Sequence, residues 1–381
     1  EQARTGRADI ALVGDSNIVF TTGGRVSGLF VGLSEAVRDI FPVYATAVLP
    51  GRGTGGWGST LNAVTPLLSN VLGNGPYAEF VDAEIPPNTA GFPTAPAYAG
   101  DTESIPGANG FRGPIVWDSD EMLIDFTRAM EFQFVYATFA NGTGLIRPRV
   151  QLFSAPYTSL ASATIVTAPV ADQIVESSLQ IPDGPRSAGI AYAIQLNDYA
   201  QQLSAEGPFA FMYCRFVLPE VQHGVSLSPL WAVGGRSARY AADQFVNHAS
   251  ISQIGAYLRQ MVRNQSAGNE RLLVHIVEGG NDINDGLPAI DAQGLETTVS
   301  SRTKSGQKLN TETVMTRIRD AWTARGFDPH RLHFLLGPYH PNDASGPDIR
   351  YSYVRGWREL SAEHPDWNIT IMDGFGVSSV A

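Results

Sequence analysis

Residues 9–17 read DIALVGDSN. Five residues of nearly unbroken apolar character run into Gly14-Asp15-Ser16-Asn17. A continuous apolar run of this length is the pattern of a parallel strand covered on both faces. The tetrapeptide after it is a sharp, polar stop that carries a hydroxyl. Ser16 is read either as a turn residue or as a nucleophile presented at a strand end, and the rest of the chain must weigh between them.

Working outward, Ser27 can cap a helix through Ile40, with Leu29, Leu33, Ala36, Val37 and Ile40 on one face. VYATAV at 43–48 reads as a second buried strand. Residues 51–115 are rich in Gly and Pro and read as loops with a short helix near 59–70. Residues 116–231 change character. Short aromatic or alternating runs (FQFVYATF, RPRVQLFS, SATIVTA, AGIAYAIQL, FAFMYCRFVL) recur between turn residues, which predicts an antiparallel β-sandwich.

From 232 onward strands and helices alternate again. RLLVHIVEGGND (271–282), LHFLLGPY (332–339) and WNITIMDGFG (367–376) read as strands. ISQIGAYLRQMV (251–262), a segment capped by Asn310 or Thr311, and YVRGWRELSAEH (353–364) read as helices. Together these predict an α/β fold. Its core is a flavodoxin-like three-layer α/β/α domain, with a central parallel sheet of about five strands, built from 1–50 and 232–381. The β-sandwich of 116–231 is expected as an insertion.

The bulk numbers exclude several function classes. The chain has 381 residues, enough for more than one structural unit. A net charge of −11 opposes binding to nucleic acid and to anionic membrane surfaces. No apolar run reaches the roughly 18 residues of a membrane span. Cys214 is the only cysteine, so no intrachain disulfide forms. A start at Glu1 without Met reads as a processed or a trimmed N-terminus; a removed signal peptide is one way to this start, and with it a secreted or periplasmic location is the expectation.

In open parallel sheets, reactive groups gather at the carboxyl ends of strands. Ser16 follows one such end, Asn281 another, and Gly234-Gly235 precede a helical stretch. A serine alcohol needs a base, and its tetrahedral oxyanion needs preorganised donors. The Ser16 N–H, a glycine N–H and the Asn281 amide have the right chemistry for those donors. GRGTGGWG (51–58) matches a Gly-x-Gly-x-x-Gly pattern, but the following helix is cut by Pro66, so a dinucleotide site is not expected. DINDG (282–286) lacks the downstream acid of a calcium loop, and the histidines show no paired metal spacing. His275, inside an apolar strand, reads as a core histidine. Asp282 reads as a residue that orients a loop or caps the next element.

Gly14-Asp15-Ser16 and Gly279-Gly280-Asn281-Asp282, each at the end of an apolar strand, make the chain resemble the SGNH (GDSL-like) hydrolase superfamily. The resemblance covers roughly 1–50 and 232–381. It implies a serine esterase or deacylase without metal or organic cofactor, with Ser16 as nucleophile and Asn281 as oxyanion donor. For the family's oxyanion glycine, Gly235 is favoured over a glycine in 51–58. The family's Asp-x-x-His motif, which supplies the base, has no match here. It is expected beyond Ala381, with His340 in GPYHPND as a substitute. The family's range includes acetyl groups on carbohydrates, so the expected substrate is an acyl ester of a polysaccharide. Two other readings use the same residues: an acyltransferase, and a binding or structural protein without the base.

Overall fold

The computed structural model describes residues 2–14, 36–48, 110–112, 124–125, 127–138, 144–152, 159–163, 165–167, 173–185, 190–196, 209–232, 237–247, 251–278, 282, 289–293, 295, 298, 300–338 and 347–372. The chain divides into two compact units. The first comprises Glu1–Arg7 and Thr21–Leu230, the second Ala8–Phe20 and Trp231–Ala381.

The second unit carries the α/β character. β1 (Arg7–Gly14) pairs in parallel with β12 (Leu272–Glu278). β12 pairs in parallel with β13 (Leu332–Pro338), and β13 with β14 (Ile369–Ile371). Ala11, Leu12 and Val13 are almost completely buried, as the unbroken apolar run requires. The amino ends of β1 and β12 are clamped by one side chain. Gln265 Nε2 donates to Asp9 Oδ2 at 2.7 Å and to the Arg271 carbonyl at 2.7 Å, while Gln265 Oε1 accepts from Arg271 N at 2.7 Å.

The helices of this unit are α2 (Ala238–Asn247), α3 (Ile251–Val262), α4 (Lys304–Ala324) and α5 (Pro347–Glu363), after the short N-terminal α1 (Gln2–Thr5) of the first unit. α4 packs against α2, α3 and α5. Its buried stripe of Val314, Ile318 and Trp322 falls at i, i+4 and i+8, the spacing of one helical face. Burial of a side chain such as Ile318 stabilises by about 1.5–3 kcal/mol. α4 starts earlier than the sequence predicts. Thr303 is its cap, with Oγ1 accepting from Gly306 N at 3.1 Å. Asn310 and Thr311 lie inside the helix and are buried, and Thr311 Oγ1 accepts from Trp357 Nε1 at 2.9 Å.

The first unit is mainly β. One set of strands runs β11 (Gly224–Ala232), β2 (Val43–Val48), β10 (Phe209–Val217), β4 (Met130–Thr138), β8 (Gln173–Ile181). A second sheet runs β3 (Gly110–Arg112), β9 (Ile190–Leu196), β5 (Gly144–Leu152), β6 (Ser159–Ser162), with β7 (Ile165–Thr167) also on β5. Tyr44, Phe132, Phe134 and Phe216 are fully buried, with Phe132 and Phe216 centroids 5.1 Å apart. Val43–Val48, expected as a further strand of the parallel sheet, is paired within this unit, antiparallel to β10 and parallel to β11. Of the helix expected over 27–40, residues 36–38 are helical and 27–35 lie outside the described residues.

Candidate active site

The register of β1 on β12 sets the geometry. Asp9 faces Leu272, and the pairing runs without a shift to Gly14 opposite Val277. The two strands therefore end at the same level and on the same side. Ser16 follows Gly14 by two residues in the chain, and Asn281 follows Val277 by four. Ser16, Gly235, the glycines of 51–58, Asn281 and His340 themselves lie outside the described residues.

Close to these positions in the chain lies a polar node among the described residues. α2 begins after Gly235, and the first N–H groups of a helix have no partner within it. Here each meets a side chain. Ala238 N donates to Asp282 Oδ1 at 2.8 Å, Arg239 N to Ser301 Oγ at 2.9 Å, and Tyr240 N to Ser237 Oγ at 3.3 Å. Ala241 N then bonds the Ser237 carbonyl at 2.9 Å, the first turn of the regular ladder. Asp282 and Ser301 are fully buried, and Ser237 is buried as well. The Asp282 carboxylate also lies at the positive end of the helix dipole, where a negative charge is favoured.

Ser301 is held in turn by α4. Asn310 Nδ2 donates to Ser301 Oγ at 3.3 Å, and Gln307 Nε2 donates to the Ser301 carbonyl. The approach of α4 to this segment depends on Gly306. A Cβ at that position would fall 1.8 Å from the Ser300 carbonyl oxygen. The first N–H groups of α2 are thus engaged by protein acceptors, so an oxyanion would need donors other than these.

Sequence reasoning expects Asp282 to orient a loop or to cap the next element. It instead caps a helix that starts 44 residues earlier. Ser301 carries no signal of its own; it lies in a polar stretch, VSSRTKSG. Ser237 is the one member of the node with a local sequence cue, a serine immediately before a helical run.

His275 is 8% exposed, in register with Leu12 on one side and Leu335 on the other. Burial pushes its pKa down from 6.5 to about 4, so the ring is neutral near pH 7. A Cβ on Gly337 would lie 3.0 Å from His275 Nε2, so the glycine leaves room for the imidazole. Among the described residues no group of three His, Cys, Asp or Glu is placed to hold a metal ion, and no helix is long and apolar enough to cross a membrane.

No family model matches the chain, and no curated protein matches it. Matches occur among solved structures. An acetyl xylan esterase (Est2A) from the rumen bacterium Butyrivibrio proteoclasticus is 10% identical, with 70% of this chain and 80% of that one covered, at a TM-score of 0.23. A family two carbohydrate esterase from Clostridium thermocellum, in complex with cellohexaose, is 10% identical over 65% of this chain and 82% of that one, at a TM-score of 0.24. An arabinose-bound α-L-arabinofuranosidase is 12% identical over 88% of this chain and 62% of that one, at a TM-score of 0.28. The neighbours include carbohydrate esterases.

Proposed function

We propose that the chain is a serine esterase or deacylase of the SGNH type that removes acyl groups from carbohydrate esters. The observation that supports this reading is the parallel register that brings Gly14 and Val277 level. Two motifs far apart in sequence, Gly14-Asp15-Ser16 and Gly279-Gly280-Asn281-Asp282, continue from neighbouring strand ends at one edge of one sheet. That edge is where open α/β sheets carry their chemistry.

In this reading Ser16 Oγ attacks the acyl carbon, and its proton passes to a histidine base. The Ser16 N–H, the Gly235 N–H and the Asn281 amide hold the oxyanion. The ester C–O bond breaks and the alcohol leaves with the proton. Water then attacks the acyl-enzyme, releasing the carboxylic acid and restoring Ser16. The base is an Asp-x-x-His histidine, as the resemblance implies, with His340 as the substitute to be tested. The β-sandwich expected over 116–231 is assigned, by analogy, the role of an inserted accessory module that binds the polysaccharide.

The test is incubation of the full-length protein with a fluorophosphonate probe and with p-nitrophenyl acetate, beside Ser16→Ala. Loss of both labelling and hydrolysis in Ser16→Ala is the expected result. A variant that labels and hydrolyses like the wild type removes Ser16 from the site.

A further inference from the structure

We propose that Asp282 is a positioning residue for the oxyanion donors, an inference that rests on the esterase reading of Ser16, Gly235 and Asn281. Asp282 is fully buried, and its Oδ1 accepts from Ala238 N at 2.8 Å. Two chain segments that follow separate elements are joined at that bond. Asn281 is the residue before Asp282, and Gly235 is three residues before Ala238. Consecutive Cα atoms are about 3.8 Å apart, so Asn281 is one bonded step from the anchor and Gly235 at most about 11 Å from its other end. The second anchor, Ser301 on Arg239 N, ties the same helix start to α4 at 2.9 Å. The Ala238–Asp282 bond is buried, where a hydrogen bond is strong and a missing partner costly, and the Arg239–Ser301 bond is partly buried. A donor pair held this way keeps its geometry without reorganising as charge develops on the substrate oxygen.

A capping role alone would lower the fraction of folded protein and leave each folded site unchanged. The positioning role also lowers the rate at each folded site. The two are separated by p-nitrophenyl acetate turnover per fluorophosphonate-titrated site in the full-length protein, for wild type, Asp282→Ala, Asp282→Asn, Ser301→Ala and Ser16→Ala. A displacement of about 1 Å costs on the order of 10²-fold, so Asp282→Ala is expected to lose about 10- to 100-fold in per-site kcat with KM within about twofold. Asp282→Asn keeps an acceptor oxygen and recovers most of that loss; Ser301→Ala loses less than Asp282→Ala. If Asp282→Ala does not fold, Ser301→Ala carries the test, with a lower per-site kcat expected. Per-site kcat equal to wild type in the folded variants, with only the number of sites reduced, overturns the inference while the esterase reading stands. A wild type that is neither labelled nor active, or a Ser16→Ala that retains both, overturns the esterase reading and this inference with it.

Discussion

Gly14 at the carboxyl end of β1 and Val277 near the end of β12 are register partners, and Gln265 pins the opposite ends of the same two strands. The pairing has a period of two, so a slip of one residue would turn every side chain of β1 to the other face. It would also move the level of Gly14 by about 3.3 Å relative to Val277. Register is therefore the property that links the stability of this sheet to the candidate site at its edge.

Gln265→Ala removes three hydrogen bonds, one of them to the buried Asp9 carboxylate. Loss of about 1–3 kcal/mol is expected from leaving such a group without this partner. Urea denaturation reads it as a lower midpoint with an unchanged m-value. A midpoint equal to wild type would mean that the clamp contributes nothing to the sheet.

Asn281→Ala, in the esterase reading, lowers turnover by about 10²–10³, the usual cost of one oxyanion donor, while fluorophosphonate labelling of Ser16 falls less. Stopped assays with p-nitrophenyl acetate measure the first and gel fluorescence the second. Unchanged turnover removes Asn281 from the oxyanion hole.

His275 makes stability depend on pH. Its folded pKa of about 4 lies below the unfolded value of 6.5, so between these values the unfolded chain binds the proton and the folded chain does not. The stability tied to its neutral form is full above about pH 6.5 and is lost as pH falls toward 4, by about 3 kcal/mol in all. The drop in unfolding free energy from pH 7 to pH 4 should be smaller in His275→Leu than in wild type. Parallel pH curves for the two proteins would contradict the assignment.

Gly306→Ala sets a methyl 1.8 Å from a backbone oxygen, so α4 or the Ser300 segment must move. Overpacking of this kind costs about 1–3 kcal/mol, occasionally more. Because Ser301 follows Ser300, the substitution should also speed amide exchange at Arg239, whose N–H Ser301 accepts. Hydrogen exchange unchanged at 238–241 would separate the glycine from the cap.

Gly337→Ala tests the room left for the imidazole. The new Cβ would stand 3.0 Å from His275 Nε2, which requires the ring to give by a few tenths of an ångström. A melting temperature lowered in Gly337→Ala but restored by adding His275→Ala is the expected pattern, since coupled neighbours depart from additivity.

Much of the α/β unit was legible in the amino-acid order. β1, β12 and β13 are apolar runs with polar stops, and Ile251–Val262 is an amphipathic helix with the bounds its periodicity predicts. β8, QIVESSLQI, and β11, GVSLSPLWA, were not legible as strands. Their serines break the apolar alternation, and pairing with β4 and β2 makes them strands. Ser226 and Ser228 of β11 are buried, the reverse of what a polar residue suggests by itself. The start of α4 was misread for a related reason. Asn310 and Thr311 look like caps because polar residues usually meet water, yet here they meet Ser301 and Trp357.

That Gly14-Asp15-Ser16 and Gly279-Gly280-Asn281-Asp282 each follow an apolar run is readable from amino-acid order alone, because apolar continuity and turn chemistry are local properties of the chain. That those two strands are parallel neighbours ending at one level, and that Asp282 and Ser301 close the start of α2, emerges from the three-dimensional fold. Register and long-range capping are settled by which hydrogen bonds survive burial, and those partners stand tens to hundreds of residues apart.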